Sequence, residues 1–166
     1  MEKFNVLTRC TVTDVPSLSF LMSSTVEKWG SGIGSVCPSF VPGNGDEIVI
    51  FEPLKIKKNS TNLHEFCEFM MKNNLFFPNA HGLVVFEKML LDKKIILLEK
   101  EKREEEEKED WWYIGPDLPQ NLHLKHGYGH MVPYLRKNGE HTYNSQPLNS
   151  IIEHNERIIT FEKKSS

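Results

Sequence analysis

The sequence predicts an α+β fold in which two helices pack on a mainly antiparallel sheet. Three observations support this prediction. Apolar residues recur at spacings of three and four in two separate stretches, which indicates two amphipathic helices. Short stretches rich in valine, isoleucine, threonine and aromatic residues separate and follow them, as is typical of strands. Asn138-Gly139 lies between two such stretches and is a strong signal for a β-hairpin.

The first predicted elements are a strand and a helix. The strand covers Phe4–Thr13, where threonine and valine recur with a rough period of two. Asp14 can cap the helix that follows, and Gly30 occupies the position after a helix end where glycine is favoured. We expect the apolar stripe of this helix to face the core, and it contains Val15, Leu18, Met22, Val26 and Trp29.

Further strands and a second helix are predicted up to residue 100. One short strand is expected within the glycine-rich loop Gly30–Gly45, and another strand covers Glu47–Ile56. Ser60-Thr61 can cap a helix whose apolar stripe contains Leu63, Phe66, Cys67, Met70 and Met71. Strands over His81–Leu91 and Lys93–Lys100 complete an order compatible with the βαββαβ arrangement of ferredoxin-like domains.

The C-terminal third is predicted to be strands. Trp111–Ile114 resumes apolar sequence, and one of its two tryptophans is expected to be buried while the other is exposed. An added hairpin pairs His130–Lys137 with Glu140–Gln146, and Arg157–Phe161 forms the last strand.

Length and composition limit the class of protein. The chain has 166 residues, of which 39% are hydrophobic and 26% charged, and its net charge is −3. These values predict one domain over residues 1–166, without the basic footprint of a nucleic-acid-binding protein. The absence of an apolar leader and of a membrane span, with three widely spaced cysteines, predicts a cytoplasmic protein. Abundant Lys, Asn, Ile and Glu suggest an A/T-rich viral, phage or microbial genome.

A block of charged residues interrupts the chain at Glu99–Asp110. It contains eight acidic and four basic residues and therefore carries a net charge of −4. A block without apolar residues cannot cross a hydrophobic core, so we expect a mobile loop or a hairpin extension exposed to solvent.

The stretch Asn121–Asn144 contains four of the seven histidines and three of the four tyrosines. A two-residue turn at Asn138-Gly139 would place Tyr134 opposite Tyr143 and Arg136 opposite His141. That face could stack on a ligand and offer it a fixed charge, although cross-strand aromatic pairs also stabilise hairpins. The predicted binding residues are His126, Tyr128, His130, Tyr134, Arg136, His141, Tyr143 and, from the preceding strand, Trp112.

The histidine spacing does not predict a metal site. His123, His126 and His130 would align on one helix face, but Gly127 and Gly129 disfavour a helix there. The sequence contains neither HExxH nor CxxC, the spacings typical of zinc ligands. We therefore predict neither a metal nor another cofactor.

A second interpretation is enzymatic. Gly129-His130, followed by a hairpin and Tyr143-Asn144, is similar to the histidine box of papain-like cysteine peptidases, including deubiquitinases. The resemblance covers about thirty residues. It implies Cys37 as nucleophile, His130 as base and Asn144 as the residue that orients the histidine. With a two-residue turn Asn144 would face away from His130, and only a bulged turn would bring both to one face.

Two functions therefore remain open. The leading hypothesis is a non-catalytic binding or regulatory protein that recognises a ligand or protein partner through the hairpin face. The alternative is a cysteine-dependent hydrolase or transferase. The distance between Cys37 and His130 would distinguish them.

Overall fold

The computed structural model describes residues 4–34, 40–53, 61–95, 110–117, 123–124 and 130–163. Within these ranges the chain forms three helices and seven strands. In chain order they are β1 (Phe4–Thr11), α1 (Leu18–Gly34), β2 (Glu47–Pro53), α2 (Leu63–Lys72), α3 (Asn79–Leu91), β3 (Trp111–Ile114), β4 (His123–Leu124), β5 (His130–Asn138), β6 (Glu140–Pro147) and β7 (Glu156–Glu162).

The described strands form one open mixed sheet, which confirms the predicted α+β class. Its order is β1-β2-β7-β3-β5, with β6 on the outer side of β5 and the short β4 also paired with β5. Every pairing among these strands is antiparallel except that of β3 with β7. The hairpin is therefore part of the main sheet rather than an addition to it.

Side chains alternate between the two faces of the sheet along each strand. Both faces carry apolar residues, and helices cover both. On one face, Ile48, Tyr113 and Leu135 pack in a cluster with residues of α1 and α3. On the other face, Val49 and Val132 pack in a cluster with residues of α2. We call these the α1/α3 face and the α2 face.

The prediction of a strand over His81–Leu91 was wrong, because α3 occupies these residues. Every residue of α3 from Asn79 to Glu87 is buried, since the helix lies between the sheet and α1. A helix buried on all sides lacks the polar face that gives a recognisable 3.6-residue period. The apolar run with adjacent Val84 and Val85 therefore resembled a strand.

The buried side of α1 also differs from the predicted stripe. Leu18 is 54% exposed and Val26 38% exposed, whereas Leu21 and Thr25 are fully buried. Val15 and Trp29 of the predicted stripe do pack against the core, so the buried side overlaps the stripe only in part and also includes small polar residues. Ser17, rather than Asp14, caps the helix by accepting a hydrogen bond from the Phe20 N–H. Gly30 has a φ of 85° and a non-helical backbone, so the first helical segment of α1 ends there at a kink, and a second short segment continues to Gly34.

The second predicted helix agrees better with the structure. Leu63, Phe66, Cys67 and Met70 are buried as expected, although Met71 is 57% exposed. Asn62 caps α2 in a capping box with Glu65. A third helix and the missing strand at α3 mean that the described elements do not follow the βαββαβ order. Cys37, residues 96–109 and therefore most of the charged block lie outside the described residues.

Candidate binding site on the hairpin

The register of the hairpin differs by one residue from the predicted register. Asn138 pairs with Glu140 across Gly139, whose φ is 79°, so Tyr134 lies opposite Asn144 rather than Tyr143. A shift of one residue turns every side chain of β6 to the other face. The predicted binding face was therefore wrong in its composition. His130, Tyr134 and Arg136 lie on the α2 face, and His141 and Tyr143 lie on the α1/α3 face.

Trp112 joins the predicted residues on the α2 face. It lies opposite Arg136 in the β3–β5 ladder. Its ring centroid is 4.5 Å from that of Tyr134, and the Arg136 guanidinium carbon lies 5.0 Å from its centroid. Aromatic and cation–π contacts of this kind hold side chains in fixed positions. Trp112, Tyr134 and Arg136, the aromatic–arginine cluster, are all partly accessible to solvent.

Asp110 fixes the charged end of this cluster. Nε of Arg136 donates to Oδ1 of Asp110 at 2.9 Å, and its Nη2 donates to Oδ2 at 3.1 Å. The indole N–H of Trp112 donates to the same carboxylate at 3.1 Å. The hydrogen bond from Arg136 holds the pKa of Asp110 below its ordinary value. The guanidinium thus binds a carboxylate of the same chain at two points, and its side chain remains 37% exposed.

Glu156 is a buried carboxyl group beside the cluster. It pairs with Trp112 in the β3–β7 ladder and is 4% exposed. Its Oε1 accepts a hydrogen bond from the Glu153 N–H at 3.1 Å. Burial raises its pKa from 4.5 to about 7, so that it exchanges protons near neutral pH. Sequence reasoning missed this residue, although alternation along β7 places it on the same face as buried Ile158.

Two buried nitrogen atoms lie farther along the same face. Among the residues described, neither Nδ1 of His130 nor Nε2 of Gln146 has a hydrogen-bond partner. Gln146 lies opposite Val132, so that it and His130 are diagonal neighbours on adjacent strands. A buried polar atom without a partner costs about 1–3 kcal/mol, which a ligand oxygen could offset. The α2 face of β3, β5 and β6, from His130 to Arg136, is the candidate binding site.

His141 and Tyr143 take part in a different cluster on the α1/α3 face. Both lie 2.5 Å from Oε2 of Glu87, through Nδ1 of His141 and the hydroxyl of Tyr143. Lys28 of α1 approaches the other carboxylate oxygen to 3.7 Å. Burial, and then the hydrogen bond to Glu87, raise the pKa of Tyr143. These contacts hold the hairpin against α1 and α3, so both side chains are already engaged by the chain itself.

The indole of Trp29 reinforces that attachment. Its ring lies 5.0 Å from the Tyr143 ring in an edge-to-face arrangement. Its Nε1 donates to the carbonyl oxygens of Asn144 at 3.0 Å and Tyr134 at 3.2 Å. One side of the hairpin is therefore anchored, and its α2 face is positioned by that anchor.

The residues of the enzymatic interpretation are only partly described. Cys37 lies outside the described residues, as do the predicted binding residues His126 and Tyr128. His130 and Asn144 do share the α2 face, because the register is the one that a bulged turn would give. However, Asn144 is opposite Tyr134, four residues from His130, which corresponds to roughly 13 Å along a strand. Its Oδ1 accepts a hydrogen bond from the Ser145 N–H at 2.8 Å.

The described ranges contain neither a metal-binding cluster nor a membrane-spanning helix. There, no group of three or more His, Cys, Asp or Glu side chains is arranged to hold a metal ion. His126 lies outside those ranges. No helix in the described part of the chain has the length and apolar character needed to span a membrane.

Comparisons with models of protein families, with curated proteins and with solved structures gave no match. The functional assignment therefore depends on the geometry of the candidate binding site.

Proposed function

We propose that the protein is a non-catalytic binding or regulatory protein that recognises its partner through the α2 face of the hairpin. The observation that carries this proposal is the aromatic–arginine cluster, which is partly exposed and held by contacts within the chain. Tryptophan, tyrosine and arginine are the residues that most often dominate binding energy at protein interfaces. A cluster that is ordered before binding loses less conformational entropy when a partner arrives.

The geometry favours a partner that carries a carboxylate. Arg136 already holds the carboxylate of Asp110 through two parallel hydrogen bonds. A second carboxylate could share the guanidinium or displace Asp110, and the rings of Trp112 and Tyr134 would pack against the neighbouring apolar part of the partner. His130 and Gln146 are partly exposed residues of the same face, and their Nδ1 and Nε2 atoms lie buried beneath it.

The other predicted binding residues have different roles in this proposal. His141 and Tyr143 position the hairpin through Glu87. His126 and Tyr128 precede β5 in the chain and are proposed as further contacts. We also propose a cytoplasmic location, which agrees with the free thiols of Cys10 and Cys67.

A library of displayed random peptides tests this function without knowledge of the natural partner. The wild-type protein, Arg136→Ala and a matched control, Arg9→Ala, are each used as bait. Arg9 is also an exposed, carboxylate-paired arginine on a strand of the same sheet, but it lies on β1. We expect acidic peptides to be recovered by wild type and Arg9→Ala and to be depleted about tenfold with Arg136→Ala. Equal recovery by all three baits would contradict the proposal.

The cysteine-dependent enzyme is the second candidate. It is favoured by one observation, the buried Nδ1 of His130 that has no partner in the described ranges. The Cys67 thiol should react slowly with alkylating reagents, because burial raises its pKa to about 12. The test uses Cys10→Ser protein and measures alkylation by iodoacetamide at pH 6. Rapid alkylation that is lost when either Cys37 or His130 is replaced would support this candidate. Slow alkylation that His130→Ala leaves unchanged would exclude it.

A further inference from the structure

The outer edge of β6 has backbone groups available for pairing. Leu148 N–H donates to the carbonyl of His130, and Gly115 N–H donates to that of Pro133. Even-numbered residues of β5 therefore direct their backbone groups toward β6, and odd-numbered residues direct theirs toward β3. By the same alternation, His141, Tyr143 and Ser145 of β6 direct N–H and C=O groups away from β5. No described strand pairs with that edge.

Among the residues that the structure describes, nothing gives this edge the usual protection against added strands. Exposed edges are commonly blocked by lysine, by proline or by a bulge. Between His141 and Gln146 the strand contains none of these, and its register with β5 runs unbroken from Met131 to Asn138. Trp29 contacts the α1/α3 face of the hairpin rather than this edge. Within the described part of the chain, the Ser145 N–H is the one outward group that a side chain occupies, and that side chain is Asn144.

The edge adjoins the candidate binding site. Thr142 lies opposite Arg136, and Asn144 lies opposite Tyr134, on the α2 face. Both β6 residues are exposed and shorter than their partners. A strand added beside β6 would lie roughly 5 Å from Thr142 and roughly 10 Å from the Arg136 backbone. An acidic side chain on that strand could extend across Thr142 and meet the long Arg136 side chain.

We propose that the partner is an extended peptide segment that adds to β6 as a strand and directs an acidic side chain across Thr142 to Arg136. This inference rests on the proposed function, because it uses the same arginine. Backbone hydrogen bonds from His141 and Tyr143 supply affinity, and the aromatic–arginine cluster supplies specificity. In recognition by strand addition, main-chain hydrogen bonds generally supply the affinity and side-chain contacts supply the specificity.

Ser145→Pro tests the backbone part of the inference in the peptide-library experiment. It replaces the outward N–H, which the Asn144 side chain occupies, with a proline ring that projects from the edge and blocks a strand added beside β6, while leaving the β5–β6 hydrogen bonds in place. Ser145→Ala, which retains that N–H, is the matched control. We expect acidic peptides with alternating β-branched residues to be depleted about tenfold with Ser145→Pro and retained with Ser145→Ala. Circular dichroism establishes that each bait is folded.

A second measurement does not depend on the folding of a variant. One recovered peptide is synthesised with N-methyl groups on alternate backbone nitrogens, in two complementary sets. A strand directs only one set of its N–H groups toward β6, so one methylated peptide should bind about tenfold more weakly than the other. Equal binding by the two peptides would overturn strand addition.

The outcomes separate the inference from the proposed function. Depletion with Arg136→Ala, together with equal binding by the two methylated peptides, would retain the binding site and overturn strand addition. Recovery that is insensitive to Arg136→Ala, or no recovery of peptides by wild type, would overturn both. A dimer in solution that Ser145→Pro converts to a monomer would show that the edge pairs with a second copy of the chain, which would also overturn the peptide proposal.

Discussion

Trp112 of β3 and Arg136 of β5 lie opposite each other on paired strands, with the guanidinium carbon 5.0 Å from the indole centroid. Their neighbours extend the arrangement, since Tyr134 packs on the indole and Asp110 binds the guanidinium. The exposed end of the hairpin thus presents aromatic surface and an oriented positive charge together.

Two adjacent residues of the hairpin should differ in their contributions, one to stability and the other to binding. Leu135 is fully buried, whereas the Arg136 side chain is 37% exposed. We expect Leu135→Ala to lower the free energy of unfolding by about 2–5 kcal/mol. Arg136→Ala should lower it by less than about 1 kcal/mol, because an exposed ion pair contributes little. Denaturant titration measures both, and equal losses would show that the face is not turned as described.

The two sides of α1 should contribute unequally to stability. Leu21 is fully buried and Leu18 is 54% exposed. Leu21→Ala is expected to cost about 2–5 kcal/mol, and Leu18→Ala less than about 0.5 kcal/mol. Urea titration of the two variants provides the comparison. A larger loss for Leu18→Ala than for Leu21→Ala would contradict the structure and support the apolar stripe predicted from the sequence.

Glu87 should be important for attaching the hairpin to the helices. Its buried carboxylate contacts His141, Tyr143 and Lys28. Glu87→Ala leaves these groups without their shared partner, so we expect a loss of about 2–4 kcal/mol in unfolding free energy. Lys88→Ala is the control, because the exposed Lys88–Asp92 pair should contribute less than about 1 kcal/mol. Similar losses in the two variants would contradict this account of the cluster.

Glu156 should make stability depend on pH. The pKa of its carboxyl rises from 4.5 in the unfolded chain to about 7 in the fold, so the folded state holds the proton more tightly. Its contribution is fully present below pH 4.5 and is lost as pH rises to about 7, with a total of about 2–3 kcal/mol.

Glu156→Gln removes that dependence while keeping an oxygen for the Glu153 N–H. We expect the variant to melt about 5–8 °C above wild type at pH 8 and to lose this advantage at pH 4. Calorimetry at both pH values measures the difference. A difference in Tm that does not change with pH would contradict the assignment.

The contrast between α2 and α3 shows how far sequence predicts this fold. Helix α2 has one buried side, so the spacing of Leu63, Phe66 and Met70 identified it. Helix α3 is covered on both sides, and its continuous apolar sequence has no period that distinguishes a helix from a strand. Its burial depends on the position of α1, which local sequence does not specify.

The candidate site shows a similar division. The sequence identified the hairpin and the residue types, but a difference of one residue at Gly139 separated Tyr143 from Tyr134. Glu87 and Glu156 were missed because charged residues are usually exposed. In hindsight, Glu87 interrupts a long apolar run, which is the signal that could have identified a buried carboxylate.

Chemical-shift mapping with an acidic peptide from the display library tests the central claim most directly. The peptide is titrated into isotopically labelled protein, and backbone amide shifts are followed by NMR. We expect the largest changes at Trp112, Tyr134 and Arg136 and, on β6, at His141 and Tyr143, whose N–H groups face the added strand, with Arg9 unchanged. Changes concentrated on α2 or β1, with the hairpin amides unaffected, would contradict the claim that this face binds the partner.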